Sequence, residues 1–144
     1  MSPFIKLDAN GNHLDASAPD ADVVAVMDPF TGLTWLAHDL SGRRMTHAEA
    51  EAAVAACTTL GFNDWKLPDV PQLFSNVDRT RFNPAVKADS LPNIKSDWYW
   101  TSERLASSSD YAWVVYFVNG NVNYNLRDLK AFVRAVRVAA PAGQ

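Results

Sequence analysis

Read for the spacing of its apolar residues, the chain changes period twice. Residues 4–7 and the β-branched run 23–27 have the composition of short strands. Leu33-Thr34-Trp35-Leu36-Ala37 alternates, with Leu33, Trp35 and Ala37 on one side, which predicts a half-buried strand. Between these lie Asp8-Ala9-Asn10-Gly11-Asn12, a turn whose Asn-Gly pair tolerates φ > 0, and a loop over 15–22 rich in Ala, Ser, Pro and Asp. Asp28-Pro29-Phe30-Thr31-Gly32 is the next turn.

From Thr46 the apolar spacing becomes three and four. Thr46 and Glu49 are spaced as a capping box and Gly61 stands at the C-terminal stop. A helix over 46–61 is predicted, with Ala50, Ala53, Val54, Cys57 and Leu60 on its buried stripe and His47 facing solvent from the first turn. Asn63-Asp64-Trp65-Lys66-Leu67-Pro68 follows as a short extended segment that Pro68 ends. Trp65 is its candidate keystone between helix, turn and sheet, and Asp64 is expected to accept backbone N–H bonds. Asp69 offers an N-cap for a second helix over 70–77, with Pro71 tolerated in the first turn.

The remainder has strand periodicity. Residues 79–95, punctuated by Pro84 and Pro92, read as a packed irregular loop. Residues 98–102 form a strand with Trp98 and Trp100 on one face and Tyr99 on the other. A flexible polar connection over 106–110 leads to the strongest strand, 111–118, which Asn119-Gly120 turns back into 121–126. In that return strand Val122, Tyr124 and Leu126 share one face, expected to pack inward, and Asn121, Asn123 and Asn125 the other. Residues 132–138 close the domain as a last strand containing Arg134 and Arg137. Trp35, Trp65, Trp98 or Trp100, and Trp113 are expected in the core. The sum is an α+β fold in one domain over 1–139, with a frayed tail at 140–144.

Composition narrows the chemistry. With 144 residues, 48% apolar, 20% charged and a net charge of −3, the chain fits one soluble globular domain without a basic run for nucleic acid or anionic membrane. No apolar run reaches bilayer length and the N-terminus lacks signal-peptide blocks, so synthesis in the cytoplasm is expected. Cys57 is the only cysteine and is read as a small buried residue, so no internal disulfide forms. His13, His38 and His47 are not spaced as metal ligands; His38 can pair with Asp39 or a sheet edge. Asp8, Asn10 and Asn12 hint at a calcium loop, but His13 stands where its glycine belongs and no glutamate closes it. Neither a metal nor a cofactor is expected.

Several segments carry a resemblance. Asp28 to Trp35 resembles a D-x-x-T-G-L-x-W entry, and residues 46–61 with Asn63-Asp64-Trp65-Lys66-Leu67-Pro68 resemble a helix followed by D-W-R-L-P. Trp98-Tyr99-Trp100-Thr101-Ser102 is similar to Y-W-S-S, Trp113 to Gly120 to a strand with an N-G turn, and Val133-Arg134-Ala135-Val136-Arg137 to a terminal V-R-x-V-R. The family they resemble is the Lcl C-terminal-like domain, named after a bacterial collagen-like adhesin. The departures are Lys66 for the usual arginine and Leu73 without the usual preceding glutamate. The resemblance implies a C-type lectin-like fold, close in pattern to the formylglycine-generating branch, with two helices on a twisted antiparallel sheet and long loops. It implies occurrence in surface proteins, lipoproteins and phages, and in the adhesin member binding of sulfated polysaccharides. The cysteine pair or histidine triad of enzymatic relatives is missing, as are the E-P-N or Q-P-D and W-N-D motifs of calcium-dependent lectins, and Lys and Arg do not cluster for a sulfated glycan.

Three functions follow from these readings. The first is a non-enzymatic, lectin-like module docking a host-surface glycan or protein, as a phage or phage-derived receptor-binding component. The second is a structural subunit meeting neighbouring virion subunits or a secretion apparatus, with self-association into a homo-oligomer compatible with either. The third, an enzyme, is the least supported. The candidate binding residues are Asn119, Asn121, Asn123 and Asn125 with Tyr111, Tyr116 and Arg127, where rings and amides offer adaptable recognition.

Overall fold

The computed structural model describes residues 3–138, so the expected tail at 140–144 and the domain end at 139 lie outside the described residues. Its most enclosed strand is β3 (Leu33–Leu36), buried at every position rather than on one side. The reason is that β3 pairs antiparallel with β2 (Ala25–Asp28) on one edge and β7 (Val136–Val138) on the other. β1 (Ile5–Leu7) adds to the outside of β2 and completes one sheet, β1-β2-β3-β7. The second sheet is the meander β4 (Trp98–Leu105), β5 (Ser108–Tyr116) and β6 (Asn121–Leu126).

The class is α+β, as read from the sequence, but with two antiparallel sheets where one was expected. The split comes from the last segment. Phe132 bonds to β4 in both directions, through Trp100 N–H to Phe132 O at 3.0 Å and Phe132 N–H to Trp98 O at 2.9 Å. Val136 instead bonds Lys66 in both directions and pairs with β3. The expected strand over 132–138 is therefore a seam between sheets, regular only in β7. The polar connection expected over 106–110 is also strand for most of its length: Leu105 pairs with Ser108 across a tight turn at Ala106 and Ser107.

Helix α1 (His47–Ala55) starts as predicted, Thr46 Oγ1 accepting from Glu49 N–H while Glu49 accepts from Thr46 N–H. It ends well before Gly61. Thr58 and Thr59 are β-branched and poor helix formers. Thr59 O accepts from Trp65 Nε1 at 2.9 Å, and Leu60 takes a left-handed φ of 60° in the short 3-10 turn Thr59–Gly61. Helix α2 (Val70–Phe74) has the reciprocal Asp69–Gln72 cap and is likewise short. Ser75 Oγ and Asn76 Nδ2 donate to the carbonyls of Gln72 and Leu73, competing with continuation of the helix.

Two hydrophobic clusters flank the second sheet. Trp100 and Val114 point toward α1, where Val54, Trp65 and Leu67 join them. Tyr99 and Val115 point the other way, toward Leu73 and Phe117. Each fully enclosed aromatic here removes about 150–250 Å² from water, about 4–6 kcal/mol of gross burial energy. Trp35 and Trp65 are buried as expected, Trp100 is the buried one of the Trp98-or-Trp100 pair, and Trp113 is only half-buried. Asp64 is exposed and pairs with Arg137 (Nε to Oδ1 2.8 Å, Nη2 to Oδ2 3.1 Å) rather than with backbone amides. The Arg137 hydrogen bond holds the Asp64 carboxyl below the usual carboxylate range.

One polar network crosses the interior. Arg134, fully buried, donates to Asp39 Oδ1 through Nε (3.2 Å) and Nη2 (2.9 Å), and through Nη1 to Pro92 O (2.8 Å) and Leu36 O (3.3 Å). Tyr99 O–H donates to the same Asp39 oxygen at 2.7 Å, and Lys95 Nζ reaches the other at 2.7 Å. Burial, then the Asp39 charge, pushes the Tyr99 phenol far above its ordinary value. The network ties the irregular loop to the sheets. That loop packs as expected over 79–95, with Ala85, Val86 and Leu91 buried.

Candidate binding site

The late hairpin is built from its turn outward. Gly120 has a φ of +83°, and a Cβ there would meet Val77 Cγ1 at 2.6 Å, so both conformation and space require glycine. Asn119 Oδ1 accepts from Asn121 N–H at 3.0 Å and Gly120 N–H donates to Tyr116 O at 2.7 Å. The register this sets pairs Tyr116 with Asn121 and runs without a slip to Tyr111 with Leu126.

Alternation then sorts the candidates onto two faces. One face carries Asn121, Asn123 and Asn125 beside Tyr116, Val114 and Ala112. Tyr116 stacks on Trp98 at 4.2 Å, so Trp98, Tyr116 and Asn121 form a row across the sheet. Asn123 Oδ1 is spent on Tyr124 N–H at 2.8 Å, and Asn125 is half-buried. The amides that look free in sequence are thus partly committed to their own backbone.

The other face carries Val122, Tyr124 and Leu126 beside Val115, Trp113 and Tyr111. The trio expected to pack inward is exposed: Val122 is 38%, Tyr124 44% and Leu126 43% accessible. Helix α2 covers this side of β4 and β5 only as far as Val115, and β6 lies beyond it. Tyr124 is held by edge-to-face contacts with Tyr111 (5.6 Å) and Trp113 (5.4 Å). Tyr111 therefore belongs with this aromatic face and not with the asparagines. Sequence reasoning missed Trp113 and Tyr124 as site residues; their alternation was visible, but nothing in it says which face is covered.

Arg127 is not free to complete either patch. Its Nε donates to His47 Nδ1 and its Nη2 to Glu51 Oε1, both at 2.9 Å. His47, expected in solvent, is fully buried between this guanidinium and the Trp100 ring, and its Nε2 donates to Thr101 O at 2.8 Å. Burial pulls its pKa below 6.5, helped by Arg127 and Arg104 and opposed by the Thr101 carbonyl and Glu51.

His38 is exposed and meets Asn93 rather than Asp39. Among the described residues no group of three or more His, Cys, Asp or Glu is placed to hold a metal ion, and no helix is long and apolar enough to cross a membrane. No curated protein matches the sequence. The family model described as Lcl C-terminal domain matches residues 24–137.

Proposed function

The chain belongs to the Lcl C-terminal domain family, and from that premise we propose that it is a non-enzymatic, adhesin-type binding module that docks a bacterial surface glycan. The observation that carries this reading is the uncovered aromatic face of β5 and β6. Tyr124 stands out from it with its ring already fixed by Tyr111 and Trp113. A fixed ring loses little entropy on binding, and its electron-rich face suits the C–H surface of a sugar. Asn121 and the Nδ2 of Asn123, exposed on the opposite face, are available to hydroxyls or to a partner's backbone. The setting we propose is a phage or phage-derived receptor-binding component, made in the cytoplasm. Cys57, buried just beyond the C-terminal end of α1, offers no accessible nucleophile.

The test is retention on bacterial surface extract, with a glycan array in parallel. Tyr124→Ala is expected to weaken binding roughly 30-fold, as a hot-spot residue does, with unchanged circular dichroism. Periodate treatment of the extract removes binding and protease treatment does not. Unchanged binding by Tyr124→Ala sinks the site, and the loop over 79–95 becomes the next candidate. A second reading, a structural subunit contacting neighbouring virion proteins, is favoured by Leu129, 51% exposed and bonded through its N–H to Leu126 O. Protease-sensitive binding, or gene neighbours encoding tail or baseplate proteins without surface binding, supports that reading.

A further inference from the structure

At the edge of the second sheet opposite β6, a cleft of about 250 Å³ opens between α1, the 66–69 segment, the start of α2 and β4. Val54 and Leu67 supply its apolar lining, and Glu51, Lys66, Asp69, Gln72 and Ser102 its polar lining. We propose that this cleft is a socket for a single pyranose unit. It stands independently of the hairpin face.

The polar groups are held in place yet incompletely used. Glu51 Oε1 receives Arg127 Nη2 at 2.9 Å, which fixes the carboxylate and leaves Oε2 uncommitted. Asp69 Oδ1 and Gln72 Oε1 are taken by the reciprocal helix cap at 2.8 and 2.9 Å, leaving Asp69 Oδ2 and Gln72 Nε2. Lys66 is pinned through its backbone to Val136 at 2.9 and 3.0 Å, and Ser102 N–H to Pro68 O at 2.8 Å. The Lys66 ammonium and the Ser102 hydroxyl have no partner among the described residues. The cleft therefore presents held acceptors and the Gln72 amide beside the exposed Lys66 ammonium and Ser102 hydroxyl, with an apolar wall.

The chemistry of that set selects the ligand. An inorganic anion meets the carboxylates of Glu51 and Asp69, a divalent cation meets the Lys66 ammonium, and an apolar molecule strands every polar group. A sugar ring brings hydroxyls that each donate and accept, and a C–H surface for Val54 and Leu67. The volume lies below the roughly 300–1,000 Å³ of drug-sized sites, so it admits one ring, the end unit of a longer glycan.

The experiment is an amide NMR titration of the intact chain with D-glucose, D-galactose, D-mannose and N-acetyl-D-glucosamine in turn, and with glycine and inorganic phosphate as comparators. At least one sugar is expected to shift the amides of Lys66, Leu67, Gln72 and Ser102 saturably at millimolar concentration. Gln72→Glu keeps the capping acceptor and removes the amide donor, and should weaken binding about fivefold, one hydrogen bond's worth. Ser102→Leu should abolish it, with the melting temperature of both variants unchanged. Absence of saturable shifts there with every sugar overturns the proposal. So do shifts confined to β5 and β6, occupancy by glycine or phosphate in place of sugar, or unchanged affinity in Gln72→Glu.

Discussion

Arg134→Met is the substitution whose cost the structure defines best. Methionine refills much of the volume but returns none of the hydrogen bonds to Asp39, Leu36 and Pro92. Asp39 is not stranded, since Tyr99 and Lys95 still hold its two oxygens at 2.7 Å. The carbonyls of Leu36 and Pro92 do lose their buried donor, at about 1–3 kcal/mol each. Adding the lost charge pairing brings the expected cost to about 4 kcal/mol, inside the range of about 3–5 for breaking a buried pair. For a domain of this size that is a drop of about 8–16 °C in melting temperature. Lys95→Met is the contrast: its side chain is 48% exposed and reaches the same carboxylate, so removal should cost no more than about 1 kcal/mol. Calorimetry on both variants decides the matter. An Arg134→Met protein melting within two or three degrees of the parent (~1 kcal/mol), or a Lys95→Met protein as damaged as Arg134→Met, refutes the central role given to the buried network.

Trp65→Ala should cost about 3–5 kcal/mol in urea unfolding, since the ring is 3% exposed and its N–H is bonded to Thr59 O; an unchanged midpoint would remove its keystone role. His47 is held neutral in the fold, so the unfolded chain binds its proton first as pH falls below 6.5, and stability should fall by up to about 1.4 kcal/mol per pH unit. The groups facing the ring are Arg127, Glu51 and Thr101 O, with Arg104 also on Glu51, and His47→Gln should flatten the unfolding free energy between pH 6.5 and the onset of acid unfolding. Asp64, Asp78 and Glu49 begin to lose their contributions only lower, near their ordinary values of 3.8 to 4.5, so the two losses start at different pH. A pH profile identical in His47→Gln and the parent would count against the buried neutral ring.

Local signals were legible in the sequence wherever one residue's chemistry fixes its neighbours. Thr46 with Glu49 and the N-cap at Asp69 close as read because the donors lie three residues from the acceptors, although Gln72's return bond to Asp69 was not anticipated. Tyr99 and Trp100 part to opposite faces because a strand gives them no choice. Asp39 and Arg134 were illegible for the opposite reason: they lie 95 positions apart, and nothing in either neighbourhood announces the other. His47 was misjudged because a first-turn histidine faces solvent unless another element arrives, and here β4 and Arg127 both do.

The hairpin shows most clearly where sequence logic stops. Alternation in β6 establishes that its two faces differ and is silent on which of them the protein covers. The answer lies in β5, where Val114 and Val115 are both fully buried, so each face of the sheet is covered at mid-strand β5. β6 lies one strand further out and escapes both covers, which leaves amides on one side and an aromatic cluster on the other. Its outer edge is also blunted. Tyr124 N–H, which another chain's strand would need, is already bonded to Asn123 Oδ1. In the glycan-binding reading proposed above, recognition at this hairpin runs through side chains on its faces, because pairing at Tyr124 would have to displace its own Asn123 bond. That distinction favours a ligand with small, separable groups, such as a sugar, over an extended peptide.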